Sequence, residues 1–199
     1  MLGEEGFDPG IIAGIGLAMA SAAVLLLAFA LFEAAAPANT AIALESAASE
    51  VSGDLETVGS MAVPYSVTRY YDFDGMDVSV SEDHVTAVMG RISFSRPLTI
   101  RVEPGKYAEN GTLLWNDTRG YRQYMNNSLN AKGTSDDPLG LEESGRLHEL
   151  MEKAGLSTLL SPIDVVPGQP LAIEKLLVHV AGNETCAPEV NAYVFVYPG

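Results

Sequence analysis

The sequence predicts an α+β protein: a long N-terminal hydrophobic helix followed by a β-rich, antiparallel, sandwich-like head. Three observations predict it. Residues 9 to 32 carry no charged side chain, and about 20 apolar residues suffice for a helix to cross the hydrocarbon core of a bilayer. A helical apolar stripe follows, through Leu44, Ala48, Val51, Leu55 and Val58. From residue 62 the apolar period changes to two, the period of a half-buried strand. The expected domains are therefore residues 1–61, the helix, and residues 62–199, the head.

Pro9 suits a helix start, where its missing N–H costs nothing. Gly14, Ala18 and Ala22 fall four apart on one helical face, and small residues at that spacing let neighbouring helices approach closely. Pro37 should kink or locally melt the helix, because it removes a hydrogen bond and crowds the preceding turn. Beyond it, the stripe from Leu44 to Val58 leaves Glu45, Glu50, Asp54 and Glu56 off its face, the pattern of an amphipathic helix. Gly59 and Pro64 end it.

Short strands come next. Val63, Tyr65 and Val67 alternate with other residues, as do Val78 and Val80, then Val85, Ala87 and Met89, then Ile92 and Phe94, then Leu98, Ile100 and Val102. Asp74-Gly75, Glu82-Asp83 and Gly90 are the turn signals between them. Residues 103 to 140 lose periodicity and read as a long polar loop. A helix from about Gly140 to Ala154 follows, built on Leu141, Leu147, Leu150 and Met151. Ser135 or Asp136 is its expected cap at the start, and Gly155 its expected C-cap. Leu171 to Val180 and Val190 to Tyr197 read as the closing strands.

The formal net charge is −15. Phosphate binding needs a basic face, so nucleic acid is not an expected partner. The first basic residue is Arg69, with eight acids before it, so no basic n-region or cytoplasmic cation fixes an orientation. Cys186 is the single cysteine, which rules out a disulfide within the chain. Four N-x-S/T sequons begin at Asn110, Asn116, Asn126 and Asn183. Clustered behind an apolar helix, they point to an exterior, glycosylated head.

No catalytic, cofactor or metal constellation emerges. Asp72, Asp74 and Asp77 surround Gly75, but the closing glutamate of a calcium loop is missing, so a hairpin turn with solvated acids is expected. His84, His148 and His179 are scattered, without ligand spacing for zinc. There is no nucleophile elbow and no phosphate-cradling loop. Trp115, Tyr121 and Tyr124, with Arg119 and Arg122 between them, form an adhesive surface, recognise glycans or a neighbouring subunit, or pack the loop back onto the sheet.

The opening Asp8-Pro9-Gly10-Ile11-Ile12-Ala13, the apolar run after it, and the continuation ALESAASEVSGDLETVGS resemble archaeal type IV pilins and the archaellin-like superfamily over about sixty residues. The resemblance implies a subunit held in the membrane before assembly, whose N-terminal helix then packs in a filament core with the heads outside. The expected function is thus a homopolymeric structural subunit of an archaeal surface filament, non-enzymatic and without cofactors, with adhesive heads. Its partners would be copies of itself, with a surface layer or another cell surface as a further one. The rival is a monomeric, membrane-anchored extracellular binding module, similar to archaellum stator proteins. In a filament the stripe Leu44 to Val58 would contact other copies. In an anchored module it would pack on its own head. On the filament reading, glutamate at Val51 and Leu55 abolishes polymerisation and leaves the head folded.

Overall fold

The computed structural model describes the backbone of residues 9–182 and 187–199, and within the first helix the side chains of residue 21, residues 23–30 and residues 37 onward. Helix α1 runs Pro9–Ser60. It continues through Pro37 instead of breaking there, so the expected interruption does not occur. Two compact units divide the chain, one up to Ile42 and one from Ala43 to Gly199. The division falls ahead of the amphipathic stripe, so the second half of α1 belongs to the head.

The expected fold class is overturned. The described chain is α+β with four helices and ten strands, and among the described residues no helix is long and apolar enough to cross a membrane. Farther on, α1 turns acidic with Glu45, Glu50, Asp54 and Glu56. The head is also not simply antiparallel, and helices supply much of its packing.

In the first sheet, β1 (Tyr65–Tyr70), β9 (Pro170–Val180), β10 (Glu189–Pro198) and β5 (Val102–Pro104) lie side by side in that order. β9 pairs antiparallel with both β1 and β10, whereas β5 runs parallel to β10. The second sheet is antiparallel in the order β4 (Ile92–Pro97), β3 (His84–Met89), β2 (Asp77–Val80), β8 (Ile163–Val165). Gly75 and Gly90 take positive φ of 68° and 62° at turns flanking β2 and β3, which glycine adopts without a Cβ penalty.

The first sheet is covered on both faces. Leu171 and Ile173 of β9 and Val194 and Val196 of β10 join one core, with the α1 stripe, β2, β3 and β8. Their neighbours Leu176, Val178 and Phe195 point the other way into a second core, with α3 (Leu141–Leu160) and the loop region before it. Side chains alternate across a strand, so a strand buried on both sides reads as a near-continuous apolar run. That explains why β9, PLAIEKLLVHV, carries so few polar positions.

Residues 103–140 are not a bare loop. They hold the end of β5, the hairpin β6 (Tyr107–Glu109) and β7 (Thr112–Trp115), α2 (Thr118–Tyr124), and a π-helical turn at Met125–Leu129. Asp117 caps α2 by accepting the amide of Gly120 at 2.6 Å. Leu98 to Arg101 lie outside the strands. α3 starts from Gly140 without a side-chain cap and runs past Gly155 to Leu160, so neither expected boundary residue serves as a cap.

Candidate assembly surface

The stripe of α1 is used up inside the head. Leu44, Val51, Leu55 and Val58 are at most 1% exposed, in one core with Tyr71, Phe73, Val85 and Ile173. Polar contacts fix the same helix from its flanks. Tyr71 Oη donates to Asp54 at 2.9 Å, and Arg69 reaches the other Asp54 oxygen at 3.1 Å. Burial, then the Asp54 carboxylate, push the Tyr71 phenol upward. Arg96 donates to Ser49 Oγ at 2.9 Å, and Glu56 accepts both the amide and hydroxyl of Thr99. At the helix end, Lys175 Nζ donates to the carbonyls of Gly59 and Met61.

Ahead of residue 43 the situation reverses. Val24, Leu25, Leu26, Leu27 and Phe29 are 63–71% exposed. Consecutive helical positions are about 100° apart, so these side chains surround α1 on every side. The side chains of Gly14, Ala18 and Ala22 lie outside the described residues.

Asn110, Asn116 and Asn126 are all exposed. Asn110 sits with positive φ beside Gly111 in the β6–β7 turn. Asn183 and Cys186 lie outside the described residues. The aromatic residues of this region pack inward. Trp115 and Tyr121 are buried, edge-to-face with centroids 5.3 Å apart. Trp115 Nε1 donates to the carbonyl of Pro104 at 3.0 Å, Tyr124 is half-buried, and Arg119 and Arg122 are exposed.

Among the described residues the titratable groups show no catalytic grouping. Asp72, Asp74 and Asp77 are exposed, and among the described residues no group of His, Cys, Asp and Glu can hold a metal ion. His84 meets Asp83 at 2.6 Å and His148 meets Glu152 at 3.4 Å. One partly buried cluster escaped the sequence reading. Arg101 Nε lies 2.9 Å from Glu82 and 3.0 Å from Glu103, and Arg101 also donates to the carbonyl of Met151 in α3. Burial pushes Glu103 up to about 8 against the pull of Arg101, and Glu82 adds to the rise. Glu103 Oε2 and Tyr121 Oη are buried without a hydrogen-bond partner. The only sequence signal was the charge alternation Arg101-Val102-Glu103 within an apolar strand pattern.

Comparison of the chain with family models, curated proteins and solved structures finds no match to any of them.

Proposed function

We propose that this chain is a structural subunit of a cell-surface filament, pilin-like in organisation, with copies of itself as its partners and the head outermost. One observation carries the reading: the uncovered apolar run Val24 to Phe29, apolar on every side of α1. A helix that is hydrophobic all round requires surroundings on all sides. A bundle of the same helix from other copies supplies them, whereas docking on one flat partner leaves half the run in water. Exposed apolar surface of this kind is a mark of association. The assembly contact therefore lies ahead of residue 43, and the stripe Leu44 to Val58 holds the head together. Among the described residues no grouping in the head supports catalysis, and the exposed sequons at Asn110 and Asn126 suit an outer, glycosylated face.

The second reading is a monomeric binding module held at the cell surface. The burial of the stripe on its own head favours it, because that face then has nothing to offer another copy. The two readings separate on material sheared from cells and imaged by electron microscopy. The filament reading expects thin filaments with this chain as the major species, and expects Leu26→Glu with Phe29→Glu to abolish them while the head unfolds normally. Filaments that lack the chain, with the chain recovered only as a monomer, would overturn it in favour of the module.

A further inference from the structure

Between β7, α2 and the π-helical turn lies an open cleft of about 360 Å³, within the range of ~300–1,000 Å³ usual for small-molecule sites. No residue lining it carries a charge. Four other clefts of this acidic chain do, through Glu174 and Lys175, Asp77 and Asp164, Lys106, and Glu109 and Arg146. The polar lining here consists of the amides of Asn116, Gln123 and Asn127 and the hydroxyls of Ser128 and Tyr124. Amides and hydroxyls each offer donors and acceptors. Asn127 is engaged only by a long 3.5 Å contact from Asn126. Leu113, 52% exposed, adds apolar surface, and the Tyr124 ring is seated against buried Trp115 with centroids 5.9 Å apart. A Cβ at Gly120 would stand 3.1 Å from Asn116 Oδ1, so glycine keeps the space beside that amide open.

This chemistry selects its ligand. An ion entering the cleft loses hydration and meets no opposite charge among the lining residues. A purely apolar ligand covers amides and leaves them unpaired, which costs more than the contact returns. A sugar ring meets both demands, with hydroxyls that donate and accept and a C–H face to lie on an aromatic ring. We propose that this cleft binds one hexose unit of a neutral glycan. The site is complete within a single head, so the proposal stands apart from the filament reading, and it requires that Asn116 carry no glycan of its own.

The test uses the full chain, produced without glycans and kept in detergent. It is applied to immobilised neutral oligosaccharides of the glucose, mannose and N-acetylglucosamine series, with sialylated and sulfated oligosaccharides alongside. Saturable retention of a neutral series is expected, reduced at least tenfold by Gln123→Ala with Asn127→Ala. Both positions are exposed, and an unchanged thermal unfolding midpoint would verify that the double variant folds. Absence of neutral-glycan binding, retention of the charged oligosaccharides alone, or equal retention by the folded double variant would each overturn the proposal.

Discussion

Lys175 Nζ donates to the main-chain carbonyl of Gly59, tying the middle of β9 to the last turn of α1. The same ammonium takes the carbonyl of Met61. α1 has no basic residue in its own last turn, and its final carbonyls need donors. A strand residue supplies them, and its positive charge complements the negative end of the helix dipole. Lys175 is buried, so its charge is compensated by these carbonyls. Lys175→Met keeps the length and removes the donor. A loss of about 1.5–3 kcal/mol in urea unfolding is expected, the scale of hydrogen bonds to a charged group. An unchanged midpoint would show that the cap contributes nothing.

The burial of the stripe changes what its substitutions report. Leu55 is fully buried, and Leu55→Ala should cost about 2–5 kcal/mol through lost burial and a residual cavity. Val51→Glu places an unpaired charge in the same core and should unfold the head. The expectation that glutamate at these positions would act on polymerisation alone is thereby corrected. Leu26→Glu, on the uncovered run, should leave the unfolding midpoint of the head unchanged. Circular dichroism during urea titration measures all three, and a stable, folded Val51→Glu head would contradict the packing described.

Glu103 gives the head a pH dependence with a definite sign. Its folded value, about 8, lies above the ordinary 4.5. Between those values the folded head retains a proton that the unfolded chain releases, so stability is greatest below 4.5 and is lost as pH rises through 8. The acidic surface adds a general repulsion in the same direction, so the informative quantity is a difference. Compared at about pH 5 and about pH 9, Glu103→Gln should be less sensitive to pH than the parent chain, by on the order of a few kcal/mol. Parallel pH profiles for the two proteins would mean that Glu103 titrates normally.

Gly155 lies inside α3, where alanine ordinarily stabilises a helix by about 1 kcal/mol. Here the sign should reverse. A Cβ at this position would stand 2.6 Å from Arg101 Nη2 and 3.0 Å from Glu82 Cδ. Arg101 cannot swing aside freely, because Glu82, Glu103 and the Met151 carbonyl hold it. Gly155→Ala should lower the thermal midpoint, through about 1–3 kcal/mol of overpacking. A raised midpoint would show that the guanidinium moves at little cost.

These relationships mark where sequence reasoning holds and where it stops. β9 and β10 were legible because long runs of alternating or continuous apolar residues have few other uses. The β3–β4 hairpin was legible from Gly90. The segment 103–140 was not, because β6, β7 and α2 are short and polar outside, with their packing residues spaced irregularly around Trp115 and Tyr121. α3 was ended too early at Gly155. That glycine is required by Arg101, which comes from a distant part of the chain. The stripe was legible as a stripe, yet nothing in its period says whether the surface that covers it belongs to the same head or to another copy. The uncharged cleft is invisible at the level of sequence, since its residues come together only when the π-helical turn folds beside β7.

The order of strands also sets the timing of biogenesis. β10 lies between β9 and β5 and contributes to both cores, yet it is synthesised after every other described strand. Until residues 189–198 leave the ribosome, β5 has no partner in its sheet and β9 keeps one edge unpaired. The nascent head is therefore committed to waiting for its last strand, with a long apolar edge open to chaperones in the interval. A product clipped before β10 loses an inner strand of its first sheet and side chains from both cores.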